Sequence, residues 1–301
     1  GEIYNYRELR QQLQAGGHHF RTETDTETIV HLYEDHGVDC VKHLRGMFAF
    51  ALWDEKKGML LLARDRLGQK PLFYRRESNR LLFGSELKSL LEVPGAPREL
   101  DIEAVDNFLT YQYVPHPQCI LKGYNKLPPA HRAVYNNGAL TVERYWTPPY
   151  PADVANDNQD TFSADEAARF SPSQWQTQLR ETLTEAVELR MRSDVPLGAF
   201  LSGGIDSTII VGLMQQLSPR PVQTYSIGFS IPQFDERTFA REAAEMLGTE
   251  HHEQVVTPDA LEILPRLIWH YDEPFADSSA IPTMALSAMT RKNVTVALSG
   301  D

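Results

Sequence analysis

Cysteine is nearly absent from this chain. Only Cys40 and Cys119 occur among 301 residues, and they form neither a metal-ligand spacing nor a disulfide framework. Such sparse use suits a reducing, cytoplasmic setting. Long apolar runs are missing as well. None approaches the roughly 20 residues that cross a bilayer, so no membrane-spanning helix is expected, and no signal-peptide pattern opens the sequence. Basic residues are in deficit: 29 Lys and Arg against 41 Asp and Glu leave a net charge of −12. A nucleic-acid groove is therefore not expected as a main function. The sequence has no internal repeat and no low-complexity tract. What is present is an ordinary globular composition, 42% hydrophobic and 23% charged, over a length that accommodates two cores.

One stretch organises the rest. Val195–Leu201 is a short apolar run that ends in Ser202-Gly203-Gly204-Ile205-Asp206-Ser207-Thr208. Ile209, Ile210, Leu213, Met214 and Leu217 then follow at helical spacing. The pattern reads as buried strand, tight turn and helix. Ser202, Ser207 and Thr208 supply hydroxyls, and the two glycines let a ligand approach the main chain. The first N–H groups of the helix favour an anion, of which phosphate is the natural one. A plain strand-to-helix turn would also satisfy the pattern. It is neither a Walker loop nor Gly-x-Gly-x-x-Gly. It does resemble Ser-Gly-Gly-x-Asp-Ser, the pyrophosphate loop of ATP pyrophosphatases.

The first half is strand-rich. After a helix carrying Tyr6, Leu9 and Leu13, and a Gly16-Gly17 stop, Thr24-Asp25-Thr26-Glu27 reads as a helix cap with Thr24 or Asp25 facing the orphan N–H groups. Gly46–Asp54 and Met59–Asp65 form a hairpin across Lys56-Lys57-Gly58. Further strands are expected near Tyr74, at Leu81–Gly84, at Arg132–Tyr135 and at Leu140–Tyr145, with helices from Leu87 and over Ile102–Leu109. Residues 147–171 are polar and proline-bearing and read as a linker. Beyond it, Trp175, Leu179, Leu183 and Val187 mark an amphipathic helix. Strands at Val222–Phe229, Glu250–Val256 and Val294–Leu298 alternate with helices at Glu236–Leu247, Pro258–Tyr271 and Met284–Arg291. That alternation predicts a doubly wound α/β domain whose ligand site lies at the carboxyl ends of its strands.

Taken together, the chain resembles the glutamine-hydrolysing asparagine synthetases of the bacterial AsnB-like class over nearly all its length. The resemblance is carried by Gly1-Glu2-Ile3-Tyr4-Asn5, Asp25, Gly46–Ala51, Arg64–Leu72, Ser202–Ser207, Asp272–Asp277 and Leu298–Asp301. It implies a class II glutamine amidotransferase domain of Ntn-hydrolase-like fold over 1–146, with antiparallel sheets between helices. It also implies a doubly wound α/β ATP-pyrophosphatase domain over 172–301. Gly1, Glu2 and Asp25 would bind glutamine. Ser202, Gly203, Gly204, Ser207 and Thr208 would hold pyrophosphate, with Leu201, Ile227 and Gly228 beside the adenine and ribose. Ser299 and Gly300 would line the adenylate, and Asp301 would act at the intermediate. Asp206 would bind Mg²⁺ or orient the loop. The implied reaction is ATP-dependent amidation of aspartate through β-aspartyl-AMP, with ammonia from glutamine and a homodimer as the family expectation.

The pattern departs from the family at both ends: no N-terminal cysteine is present, and the motif after Asp301 is not. The sequence therefore reads as a fragment expected to lack glutaminase activity. The same chemistry on another carboxylate, such as a sugar acid or peptide, and a non-catalytic nucleotide-binding fragment stay open as alternatives. So does the role of Asp272, Glu273 and Asp277, which read either as a solvated loop or as a metal or substrate site. Arg64 and Asp65 read as a structural ion pair. The adjacent pairs His18-His19 and His251-His252 would face opposite ways on a strand, which argues against chelation by either pair.

Overall fold

The computed structural model describes residues 1–78, 80–148, 170–229, 233, 235–256 and 260–300. The chain divides into two compact units, Gly1–Thr161 with Tyr271–Ala276, and Phe162–His270 with Asp277–Asp301. Of the expected linker, residues 149–169 lie outside the described residues, as does Asp301.

In chain order the first unit holds β1 (Glu2–Ile3), α1 (Tyr6–Ala15), α2 (Asp25–His36), β2 (Gly46–Met47), β3 (Ala49–Asp54), β4 (Met59–Arg64), β5 (Phe73–Arg76) and β6 (Leu81–Gly84). It continues with α3 (Leu87–Leu91), α4 (Ile102–Tyr111), β7 (Asn125–Lys126), β8 (His131–Asn136) and β9 (Ala139–Arg144). All strand pairs here are antiparallel. β1 pairs with β2, one sheet runs β3-β4-β8-β9, and another runs β6-β5-β7.

Strand β4 shows how these layers arise. Neighbouring side chains on a strand point to opposite faces, and β4 is apolar on both. Leu61 and Ala63 pack with Leu9, Leu13, Ile29 and Leu32 of α1 and α2. Leu62 packs the other way, with Leu72, Tyr74 and Leu127 around the second sheet. Phe73, next to Tyr74 in β5, turns outward again to Leu87, Leu90 and Ala104 of α3 and α4. The order is helices, sheet, sheet, helices. A 3₁₀ segment at Gly37–His43, which no periodicity announced, carries buried Cys40 and Val41 beneath α2.

The second unit holds α5 (Pro172–Arg190), β10 (Leu197–Phe200), α6 (Ile205–Leu217), β11 (Gln223–Phe229), α7 (Arg237–Leu247), β12 (Glu250–Val256), α8 (Ala260–Tyr271), α9 (Ala280–Thr290) and β13 (Val296–Leu298). Helix α5 opens with a capping box between Ser171 and Gln174, and Pro172 takes the first turn. Its expected apolar stripe is buried only toward its end: Leu179 is exposed and Val187 is buried. Helix α9 begins before Met284 because Pro282 falls in the first turn, where no N–H is needed.

Strands β12-β11-β10-β13 form one parallel sheet in that order. From β10 the chain steps outward through β11 to β12, then returns to the far side of β10 as β13. Helices α6 and α7 share one core cluster with β10, as right-handed crossovers in one direction along the sheet require. The order reverses between β10 and β13, which is where ligands bind in open α/β sheets.

Candidate functional site

At that reversal the second unit carries a cavity of about 480 Å³, within the ~300–1,000 Å³ range usual for small-molecule sites. Parallel pairing of Ala199 with Leu298 brings Leu201-Ser202 beside Ser299-Gly300. Pairing of Phe200 with Tyr225 sets Ile227 on the other flank. Leu201, Ser202, Gly204, Asp206, Ser207, Ile227, Ser299 and Gly300 all line the cavity.

The loop between β10 and α6 is held by its own hydroxyls. Ser202 Oγ and Ser207 Oγ lie 3.0 Å apart. The Ser202 N–H donates to Ser207 Oγ at 3.3 Å, and the Gly204 N–H donates to Ser202 Oγ at 3.2 Å. Gly204 is the N-cap of α6 and has no side chain to satisfy the first-turn N–H groups, leaving them to an anion. Gly203 has φ +82°, and a Cβ there would lie 2.4 Å from the Phe239 carbonyl carbon. At Gly300 a Cβ would meet the Ser207 nitrogen at 2.4 Å. Only glycine permits these two approaches.

Three of the expected nucleotide residues stand behind the cavity wall. Gly203 packs on the start of α7, the Thr208 N–H closes the first helical bond to Gly204 O, and Gly228 lies under the Asp235–Arg237 ion pair. Other liners escaped the sequence, among them Phe200, Tyr225, Ser226, Glu236 and Thr283. Glu236 adds a second carboxylate to Asp206. With the serine hydroxyls this makes an all-oxygen donor set, the kind that suits Mg²⁺.

Ser226 is backed by a half-buried histidine. His251 contacts Ser226 Oγ at 3.1 Å through Nε2 and Thr224 Oγ1 at 3.0 Å through Nδ1. Burial pushes its imidazole below the ordinary value, toward the neutral form. His252 turns to the opposite face and stacks on Tyr225, so this adjacent pair is divided as its strand position requires.

In the first unit, Gly1, Glu2 and Asp25 come together. Glu2 pairs with Met47 across β1 and β2. Asp25 is the first residue of α2, not its cap: Asp25 Oδ2 accepts the Ile3 N–H at 2.9 Å, and Thr24 holds the N-cap position without a side-chain bond. The expected capping role is corrected accordingly. The loop ahead of α2 is held by Glu27, which accepts the Arg21 and Thr22 N–H groups, both at 2.7 Å, and the Thr22 hydroxyl. Those bonds hold its carboxyl down at about 2.

Other expectations change. Arg64 and Asp65 each serve the backbone. Arg64 donates to the Gly68, Lys70 and Leu127 carbonyls, while buried Asp65 accepts N–H groups from Phe48, Leu67, Gln69 and Lys70. The acidic cluster is divided. Asp272 pairs with Lys88 and Glu273 with Lys126 within the first unit, whereas Asp277 accepts the Ser279 N–H at the start of α9 in the second. Cys40 and Cys119 are buried, and burial pushes both thiols up to about 12, so both are core residues.

Comparison with known proteins follows the same division. Residues 1–146 match the glutamine amidotransferase domain family, and residues 178–301 match the asparagine synthase family. Asparagine synthetase [glutamine-hydrolyzing] 1 of Bacillus subtilis is 36% identical across the whole chain, which covers 45% of that relative. A putative asparagine synthetase [glutamine-hydrolyzing] 2 of Methanocaldococcus jannaschii is 37% identical, again across the whole chain and 56% of the relative. The chain carries a glutamine amidotransferase segment and an asparagine synthase segment, and it is similar along its whole length to glutamine-hydrolysing asparagine synthetases. It spans about half the length of the curated relatives it matches. Among solved structures, a glutamine phosphoribosylpyrophosphate amidotransferase from B. subtilis covers 87% of this chain and 48% of its own, at 15% identity and a TM-score of 0.33, too loose a likeness to argue from. The Ser202–Ser207 loop lies in the matched asparagine synthase segment, and Gly1, Glu2 and Asp25 lie in the matched amidotransferase segment.

Proposed function

We propose that the protein amidates aspartate at the expense of ATP, with ammonia drawn from glutamine. Residues 1–146 serve as the amidotransferase domain and 172–301 as the synthetase domain, joined by 147–171. A carboxylate does not react with ammonia directly, because hydroxide is a poor leaving group. Attack of the aspartate β-carboxylate on the α-phosphorus of ATP releases pyrophosphate and forms β-aspartyl-AMP. Ammonia then attacks the acyl carbon, AMP leaves with the bonding electron pair, and the surplus ammonium proton passes to a base.

The observation that carries this reading is the cavity at the sheet reversal, where the Ser202–Ser207 loop faces Ser299-Gly300. Ser202, Gly203, Gly204, Ser207 and Thr208 form the pyrophosphate cradle. Within it Ser202, Ser207 and the first turn of α6 supply donors, while Gly203 and Thr208 hold the loop's shape. Leu201, Ile227 and Gly228 flank the nucleoside, with Gly228 acting through the wall behind it. Ser299 and Gly300 border the adenylate, and Asp301 is assigned the proton acceptor at the intermediate. Asp206, joined by Glu236, would hold Mg²⁺, which when bound supplies charge neutralisation for the departing pyrophosphate. In the first unit Gly1, Glu2 and Asp25 take glutamine, with Asp25 facing the substrate's ammonium group.

The test is pyrophosphate release with ATP, Mg²⁺, aspartate and ammonium, run beside Asp206→Ala. Aspartate-dependent release that the substitution abolishes supports the proposal. Folded, ATP-binding protein without aspartate-dependent release removes aspartate as substrate and directs the search to other carboxylates.

A further inference from the structure

Outside both candidate sites, the first unit gathers His18, His31 and Glu34 so that one ligand atom from each lies within 4.8 Å of the others. His18 Nδ1 is 3.1 Å from His31 Nδ1, and Glu34 Oε2 is 3.2 Å from the first and 2.7 Å from the second. A tetrahedral ion with bonds of ~2.0–2.1 Å sets its ligand atoms about 3.3 Å apart. The three atoms thus approximate one face of such a tetrahedron.

The surroundings prepare both imidazoles for this task. The distal nitrogen of His18, Nε2, lies 2.8 Å from Asp35 Oδ1. A proton held there leaves a lone pair at Nδ1, directed at the cluster. The distal nitrogen of His31 is buried without a hydrogen-bond partner and faces Glu27 Oε1 at 3.7 Å. A proton held there, beside that carboxylate, again leaves the Nδ1 lone pair to coordinate. A carboxylate behind each ligating imidazole is the usual second layer of a metal site. In that tautomer of both rings, two Nδ1 lone pairs and the Glu34 carboxylate would converge on one point, where a cation can sit.

The scaffold is rigid. His31, Glu34 and Asp35 share one face of α2 through i, i+3 and i+4 spacing. His18 is delivered by the C-terminal cap of α1, where its N–H bonds Leu13 O at 3.0 Å. The His31 ring is fixed between those of His18 and Phe20, with centroids 4.8 and 4.6 Å away. The adjacent pair His18-His19 is not the chelating unit; His18 acts with a residue on the next helix.

We propose that His18, His31 and Glu34 bind one divalent late first-row ion, Zn²⁺ in class, joining the end of α1 to α2. Two imidazoles and a carboxylate suit that class better than Mg²⁺ or Ca²⁺. The ion would fix the helix whose first residue, Asp25, holds β1.

The experiment titrates chelator-stripped, untagged protein with Co²⁺, followed by its visible ligand-field absorption, then displaces it with Zn²⁺. One equivalent is expected, with a Zn²⁺-dependent rise in melting temperature. His18→Ala is expected to abolish both signals. Glu34→Gln, at a half-exposed position that leaves the fold intact by circular dichroism, is expected to weaken binding at least tenfold. Asp35→Asn, which touches only the distal nitrogen, is expected to weaken it roughly 10–100-fold. Asp206→Ala should leave the stoichiometry unchanged, separating this site from the nucleotide cavity. Absence of saturable Co²⁺ or Zn²⁺ binding by folded wild type, or unchanged binding in folded His18→Ala, overturns the proposal and leaves a shared proton as the occupant.

Discussion

Glu273 and Lys126, 147 residues apart in sequence, meet at 2.7 Å within the first unit. Their side chains are only 11% and 14% exposed. Glu273 also accepts the Ile120 N–H at 2.7 Å, and Lys126 donates to the Val114 carbonyl at 2.6 Å. The pair therefore ties a segment from beyond α8 to the loops on either side of Cys119. Removing one partner of a buried pair strands the other charge and costs ~3–5 kcal/mol, whereas replacing both with apolar groups is often neutral. Lys126→Met should fall near the lower figure, because Glu273 keeps its backbone donor. Lys126→Met with Glu273→Leu should recover most of the loss. Urea unfolding of the two single variants and the double variant measures the coupling; additive losses would deny it.

Both space and backbone angle demand glycine at 203, and the two are separable. At Gly203 the chain has φ +82°, and a Cβ would lie 2.4 Å from backbone of α7. At Gly248, the cap of that helix, φ is +71° with nothing within 4 Å of a Cβ. Gly248→Ala should show left-handed strain alone, about 1–2 kcal/mol, and leave ATP binding unchanged. Gly203→Ala should lose more stability and weaken ATP binding by over tenfold, since the loop must move away from α7. Calorimetric titration with ATP beside melting curves distinguishes them. Equal effects on ATP binding would mean that the close approach to α7 is not what shapes the loop.

Legibility followed the range of the interactions. The Ser202–Ser207 loop was readable because strand, turn and helix are consecutive there, and each declares itself through local pattern. The parallel sheet was readable from alternation, and the hairpin of β3 and β4 from two apolar runs around Gly58. The capping reading of Asp25 fails because its partner, Ile3, lies on another element, and no spacing in Thr24–Glu27 encodes that contact. Asp272 and Glu273 were ambiguous for the same reason: Lys88 and Lys126 are remote in sequence. Glu236, Phe200 and Tyr225 were missed as cavity liners because they sit beside the recognised motifs, placed there by strand register and by the start of α7. The short strands β1, β2 and β7 have two residues each, too few for any periodicity.

The two thiols offer a simple probe of two of the core clusters of the first unit. Cys40 packs with Leu32, Val41 and Leu44, and Cys119 packs with Leu121 and Tyr124. Thiolate is the reactive form, and burial pushes each thiol from 9.0 up to about 12. Neither should alkylate appreciably at pH 8 without opening of the fold, and both should react fully in denaturant. Mass spectrometry after a timed iodoacetamide pulse reads each site. Fast native labelling of Cys40 would refute its place beneath α2. The raised thiol values also carry a sign: they favour the folded state below about pH 9 and withdraw that contribution as pH climbs toward 12.

Part of the acid dependence should be traceable to one half-exposed carboxylate, Asp39. Arg132 Nη1 lies 2.5 Å from Asp39 Oδ1, and Lys42 Nζ lies 2.9 Å from the same oxygen. The Arg132 guanidinium first, and the Lys42 ammonium second, hold the Asp39 carboxyl from its ordinary 3.8 down to about 2. A depressed value means that the folded state holds its proton more weakly than the unfolded chain does. The stabilisation is then fully present above about pH 4 and disappears as pH falls through about 2. Its size is limited by exposure, because Asp39 is 48% exposed, and such pairs are worth ~0.2–1 kcal/mol. Asp39→Asn should cost that amount at pH 7 and nothing near pH 2, so that the stability curves of wild type and variant converge on acidification. Added salt should narrow the gap at pH 7, since an exposed pair is screened. Denaturant midpoints measured between pH 7 and pH 2 test this, and a gap that persists undiminished at the acid end would assign the loss to a bond other than the ion pair.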